Sequence, residues 1–299
     1  MLEVVGVSKS FGDFCVLSEI SFEVQEGEIY GLIGYNGVGK TTLMKIMCGI
    51  YRANTGCVRI RNQTVYECAA LKQQCFFMTE ESTHFHQSTL KQMAKFYRGY
   101  YPGWKEETFR KLVELFGIPV NVKISRFSKG MQRQAGLILA FSARVKYLFL
   151  DEAFDGLDVT MRQLMKDMIR FYVKKKGALV LISSHNLLEL EHLADRIGML
   201  SESRLIFDES LTWMQEHFCT CSFVWPTACT LPDSMPYHAQ ILERQNGTYT
   251  CIFEAPLAKA KEALEQMGAE KITVRPIGLE EFFRKECKGK DVDWETVFL

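Results

Sequence analysis

The 299-residue sequence predicts an α/β fold with a parallel-sheet core, preceded by antiparallel strands and followed by a small α+β domain. Three observations predict it. Glu28-Ile-Tyr-Gly-Leu-Ile33 reads as a buried strand that runs into a glycine-rich turn and then into Leu43, Ile46, Met47 and Ile50 at helical spacing. Tyr147-Leu-Phe-Leu150 and Ala178-Leu-Val-Leu-Ile182 are short apolar runs separated by a helical stretch from Met161 to Tyr172, the pattern of parallel strands joined by a crossover helix. Beyond about residue 215 the texture changes, with Pro226, Pro232 and Pro236 and an Asn246-Gly247 hairpin signal between strand-like segments.

The remaining elements follow in order. Leu2 to Val7 and Ile20, Phe22 and Val24 show apolar and alternating patterns with Gly12-Asp13 as a turn between them, so the chain opens with an antiparallel β subdomain. Residues from about 82 to 143 read as a mostly helical subdomain, punctuated at Tyr101-Pro-Gly103 and Gly117-Ile-Pro119. A helical pattern over Leu257 to Met267 and a strand over Lys271 to Val274 complete the tail. The expected domains are 1–214 and 215–299.

Apolar residues make up 47% and charged residues 24%, the balance of an ordinary folded protein rather than a disordered or fibrous chain. The 36 basic and 36 acidic residues cancel, so no global positive field favours nucleic acid or an anionic membrane. No apolar run approaches the roughly 18 residues of a spanning helix, and the start, Met1-Leu-Glu-Val-Val, lacks the features of a signal peptide. The expected location is the cytoplasm. Ten cysteines are too dilute for a disulfide framework and read as reduced thiols. Cys219, Cys221 and Cys229 lack a Cys-x-x-Cys pair and a spaced fourth ligand, which argues against a zinc site.

The strongest motif is Gly34-Tyr35-Asn36-Gly37-Val38-Gly39-Lys40-Thr41, a full phosphate-loop match in the strand-to-helix context the pattern requires. Its glycines let backbone N–H groups turn towards phosphate oxygens beside the positive end of the next helix. Lys40 supplies a charge for β and γ phosphates, Thr41 a hydroxyl for Mg²⁺, and Thr42 a further phosphate donor. Asp151-Glu152 ends the Tyr147 strand, where an open parallel sheet places its ligand crevice. Asp151 suits the Mg²⁺ shell through water, and Glu152 suits a general base that polarises the attacking water. Taken alone, an acidic pair there equally well ends a strand and caps the next helix.

Phe127-Ser128-Lys129-Gly130-Met131-Gln132, between the phosphate loop and Asp151, resembles the signature motif of the ATP-binding subunit of ABC transporters. The resemblance covers about residues 1 to 212. It implies a P-loop NTPase core of the ABC ATPase type that hydrolyses ATP with Mg²⁺. Without it, Ser128 reads as an ordinary N-cap; with it, Ser128, Gly130 and Gln132 form a second donor set for the γ-phosphate. Asp155-Gly-Leu-Asp158 resembles the family's D-loop, with Asp158 at its acidic position. His185, after the Ala178 strand, is similar to the switch histidine that contacts the γ-phosphate and orients Glu152. Phe11 takes the place of the aromatic that stacks on adenine, with Phe14 as a neighbouring competitor.

Two departures stand out. Alignment over Cys75-Phe-Phe-Met-Thr79 puts Glu80 where the family usually has a metal-approaching glutamine, although Gln73 and Gln74 are close. Ala153 replaces the proline that commonly follows the catalytic glutamate, a change of loop stiffness more than of chemistry. In the tail, Ile277-Gly-Leu-Glu-Glu-Phe-Phe283 resembles the terminal helix of some exporter-type subunits. One chain holds one copy of each part, so the resemblance implies a head-to-tail homodimer sandwiching two ATP molecules. It also implies a separate polytopic permease at the inner face of the cell membrane, docked near residues 80 to 125, with export the favoured direction and no nucleic-acid partner. The alternatives are a soluble ABC ATPase acting on DNA, ribosomes or protein, and a non-catalytic nucleotide-sensing subunit.

Overall fold

Alternating burial shapes the opening strands: Leu2, Val4 and Val7 of β1 (Leu2–Phe11) and Leu17, Ile20, Phe22 and Val24 of β2 (Phe14–Val24) face one core. The two pair antiparallel across the Gly12-Asp13 turn. In the computed structural model, which describes residues 1–79, 87–226, 235–245 and 247–286, the chain divides into two units, Met1–Asp208 and Glu209–Leu299.

In the first unit, β3 (Ile29–Ile33) leads through the phosphate loop into α1 (Lys40–Met47). Next come β4 (Thr55–Ile60), β5 (Gln63–Thr64), the short α2 (Ala69–Lys72) and β6 (Cys75–Met78). The antiparallel sheet has the order β2-β1-β4-β5. Its buried face and the face of α1 that carries Leu43, Met44 and Met47 share one core with Tyr30 and Leu32.

The helical region holds α3 (Leu90–Tyr100), α4 (Glu106–Phe116), a 3₁₀ turn at Ile124–Arg126 and α5 (Lys129–Ala143). Thr89 and Gln92 close a capping box on α3, and Gly117 ends α4 at φ 63°. The chain then forms β7 (Tyr147–Asp151), α6 (Val159–Lys176), β8 (Leu179–Ser183), α7 (Leu187–Glu191), β9 (Arg196–Ser201) and β10 (Arg204–Ser210). The second sheet runs β10-β9-β3-β8-β7-β6. The pairs from β9 to β6 are parallel. Every residue of β3, β7 and β8 is buried, as a sheet covered on both faces demands. The C-terminal ends of these three strands carry the phosphate loop, Asp151 and Ser183.

The second unit consists of α8 (Leu211–His217), β11 (Cys219–Val224), β12 (Gln240–Gln245), β13 (Thr248–Phe253), α9 (Leu257–Gln266), β14 (Glu270–Pro276) and α10 (Leu279–Glu286). Its sheet is antiparallel in the order β12-β13-β11-β14. Cys219, Cys221, Phe223, Cys251 and Phe253 pack with Ala260 and Leu264 of α9 in its core. Cys219 and Cys221 thus serve as small apolar residues, and Cys229 lies outside the described residues. No helix among the described residues is long and apolar enough to cross a membrane.

Candidate functional site

Two glycines let the phosphate loop fold as it does. Gly34, at φ 152°, passes so close to its surroundings that a Cβ would meet Leu200 O at 2.6 Å and Val38 Cγ1 at 2.8 Å. Gly39, at φ 110°, starts α1 without any side-chain cap and leaves a Cβ only 2.9 Å from Leu17 Cδ2. The first N–H groups of α1 therefore face the cavity as donors for an anion. Lys40 is buried, and its Nζ donates to Gly34 O at 2.7 Å and Tyr35 O at 3.2 Å. Burial pushes its pKa down, against the opposing pull of Glu152 and Asp151.

The carboxylate side is equally well connected. Asp151 is buried; its Oδ2 accepts from Thr41 Oγ1 at 2.6 Å and its Oδ1 from Ser183 Oγ at 2.5 Å. Ser183 Oγ also accepts the Glu152 N–H at 3.1 Å. Glu152 holds a left-handed backbone at φ 49°, a conformation a non-glycine residue adopts only under constraint. That turn brings its Oε2 to 2.9 Å from His185 Nδ1 and 3.2 Å from the His185 N–H. The hydrogen bond with Glu152 raises the His185 pKa above its ordinary value, with burial opposing.

Lys40, Thr41, Asp151, Glu152 and His185 line a cavity of about 690 Å³, together with Phe11, Phe14, Asn36, Gly37, Gly39 and Thr42, within the size range of small-molecule sites. Val16, Lys45, Thr79 and Asp155 also line it; the sequence placed Asp155 in the D-loop motif without giving it a site role and missed the other three. Lys45 had a signal: it lies one helical turn after Thr41 on α1 and so shares its face. Asp155 follows Glu152 in the same loop, and its Oδ1 lies 3.8 Å from His185 Nδ1. Val16 and Thr79 had none, since their neighbours are set by tertiary packing. Tyr35 and Val38 line a smaller adjoining cavity with Phe14. Phe11 meets Tyr51 edge-on at 5.8 Å and lies under the Lys9 ammonium, while Phe14 is 67% exposed.

Ser128, Gly130, Gln132 and Asp158 do not line the cavity. Ser128 Oγ accepts from Met131 N at 3.2 Å, and Asp158 Oδ1 accepts from Met161 N at 2.8 Å, so both cap helices. Gln132 Nε2 donates to Phe127 O. Gly130 approaches the other loop closely: a Cβ there would lie 2.6 Å from Gly156 O. Glu80 lies outside the described residues, but Arg133, buried in α5, reaches Thr79 O at 2.8 Å.

Lys40 and Lys45 beside Asp151, Glu152 and Asp155 in one cavity suit a polyphosphate accompanied by a divalent cation. Thr41 Oγ1 and Asp151 Oδ2 converge as hard oxygen donors that fit Mg²⁺. Glu152, Asp155 and His185 form a second convergent group, with one ligand atom of each inside 4.8 Å.

Residues 17–155 match the family model described as ABC transporter. The chain is 27% identical to the ABC transporter ATP-binding protein YtrB of Bacillus subtilis, over 97% of this chain and 99% of that one. It is 34% identical to the uncharacterized ABC transporter ATP-binding protein MJ1023 of Methanocaldococcus jannaschii, over 69% of this chain and 76% of that one. A solved ATP-binding subunit of an ABC transporter superposes with a TM-score of 0.66 at 25% identity, over 72% of this chain and 92% of that chain. With a phosphate loop facing a strand-end carboxylate pair on the same parallel sheet, and with relatives of this kind along its length, the chain belongs to the ABC transporter family as an ATP-binding subunit that hydrolyses ATP.

Proposed function

We propose that two copies of this chain close head to tail over two ATP molecules and thereby drive a separate polytopic permease in the membrane, in the direction of export. The observation that supports this is a division within one chain: Lys40, Thr41, Asp151, Glu152 and His185 line the cavity, whereas Ser128 and Gly130 stand outside it. In the dimer, Ser128 and the N–H groups that open α5 of one copy reach the γ-phosphate held by the other. Closure follows from charge-assisted bonds to both copies, and hydrolysis removes them.

Within each site the loop N–H groups and Lys40 hold the β and γ phosphates, Thr42 adds a donor, and Phe11 stacks on adenine. Glu152 accepts the proton of the attacking water, and His185 holds Glu152 in line and touches the γ-phosphate. Thr41 and Asp151, with Glu80, would hold Mg²⁺, which would neutralise phosphate charge there. The permease docks on the helical region near residues 80 to 125, which keeps the subunit at the inner face of the cell membrane. Export rests on the resemblance of Ile277–Phe283, which runs into α10 (Leu279–Glu286), to the terminal helix of some exporter-type subunits.

The test is Glu152→Gln at saturating ATP. The expected outcome is a dimer mass by light scattering and turnover lowered about 10² to 10⁴-fold, the usual reach of a general base. A monomer mass overturns the sandwich, and parental turnover overturns the base. Co-purification with a protein of several apolar spans supports the permease; a soluble partner in its place overturns it.

A further inference from the structure

His185 is bracketed by a single carboxylate. Glu189 in α7 is buried, and Ser184 Oγ donates to its Oε2 at 3.3 Å while Asn186 Nδ2 donates to its Oε1 at 3.2 Å. Those donors are the immediate neighbours of His185 on either side. Ser184 Oγ also accepts the Asn186 N–H at 3.0 Å, which tightens the same turn. On its outer side Glu189 pairs with Arg162 of α6, Nη1 to Oε1 at 2.7 Å. The same guanidinium donates from Nε to Leu157 O at 2.8 Å, in the loop that runs from Glu152 to Asp158. Neither Arg162 nor Glu189 lines the nucleotide cavity.

We propose that Arg162 and Glu189 are a positioning pair: they fix the loop that carries Glu152 and Asp155 in register with the turn that carries His185. Glu189 is buried but the Arg162 side chain is 34% exposed, and a partly buried ion pair of this kind adds little net stability, because desolvation and solvent screening offset its attraction. Its value lies in geometry. The planar guanidinium fork spans two segments, and the carboxylate spans both flanks of the histidine. The 2.9 Å contact between Glu152 Oε2 and His185 Nδ1 sits between these segments. Register matters there, since a shift of about 1 Å at a reacting group can cost about 10²-fold in rate.

The inference rests on Glu152 and His185 acting as proposed above, and its test separates the two. Steady-state ATPase is measured on the full chain as parent, Glu152→Gln, Arg162→Lys, Arg162→Gln, Glu189→Gln and the double variant Arg162→Gln/Glu189→Gln. Arg162→Gln is expected to lower kcat about 10- to 100-fold, with KM and ATP affinity within about two-fold, because no phosphate contact is lost. The double variant is expected to recover part of the loss, since it leaves no unpaired buried carboxylate. Arg162→Lys keeps the charge beside Glu189 and the fold; it is expected to fall between parent and Arg162→Gln, and it serves where Arg162→Gln does not fold. Parental kcat in Arg162→Lys and Arg162→Gln, or a raised KM at unchanged kcat, overturns the pair as a positioning device. An active Glu152→Gln sinks the reading of Glu152 instead.

Discussion

Glu26 gathers more partners than any surface carboxylate needs. Its Oε2 accepts from Lys146 Nζ at 3.0 Å and its Oε1 from Tyr147 Oη at 2.9 Å, with Arg61 and the amino terminus nearby. Burial pushes the Glu26 carboxyl up, but Lys146, Tyr147 and the amino terminus outweigh it and hold the pKa at about 2. A depressed carboxylate contributes stability that is complete above its unfolded value and is lost as pH falls through the folded one. Glu26→Gln is therefore expected to lower the urea midpoint at neutral pH by the equivalent of about 1 kcal/mol, the scale of a partly solvated ion pair. The difference should shrink as pH falls from about 4.5 towards about 2, where half of the Glu26 carboxyl is protonated; an undiminished difference at about pH 2 contradicts the linkage. No local pattern announces this cluster, because Glu26, which precedes β3, meets Lys146 and Tyr147 only through the pairing of β3 with β8 and of β8 with β7. Lys40, Thr41, Asp151 and Glu152 were legible by contrast, since the phosphate loop and the strand-end acid pair are local in sequence. Ser183, Glu189 and Arg162 were not, because their partners are fixed by packing.

Helix α3 starts on a reciprocal capping box. Thr89 Oγ1 accepts from Gln92 N at 3.2 Å while Gln92 Oε1 accepts from Thr89 N at 2.9 Å. Thr89→Ala removes one acceptor and unbalances the pair, and is expected to cost about 0.5–2 kcal/mol with an unchanged m-value in urea. A shift no larger than that of an exposed mid-helix substitution would leave the box without energetic weight. The same capping logic explains what the sequence left ambiguous: Ser128 and Asp158 fit both a family motif and an ordinary helix start, and within one chain each makes its cap. Periodicity was enough for β3, β7, β8 and α6, where buried runs and a long amphipathic stretch alternate. It was not enough for β11, whose Cys-Thr-Cys-Ser-Phe-Val run puts thiols where branched aliphatics usually mark a strand.

The two units keep their thiols in separate cores, Cys48 and Cys75 in the first and Cys219, Cys221 and Cys251 in the second, while Cys15 is exposed. Burial pushes Cys48 up to about 12 and Cys251 up to about 11, so neither is a thiolate near neutral pH. Among the described cysteines, maleimide labelling of the native chain is expected to reach Cys15 first, with Cys48 and Cys251 reacting only as denaturant opens their own unit. Labelling of Cys251 as fast as Cys15 in the native chain would show that the second core is open. The expected boundary at 214/215, read from the change of texture beyond about residue 215, lies a few residues after the division at Asp208/Glu209. The abutment of Gly130 on Gly156 reaches furthest in its effect. In the dimer proposed above, the motif that one copy would lend its neighbour is seated on that copy's own loop between Glu152 and Asp158, so the two sites would be joined through it.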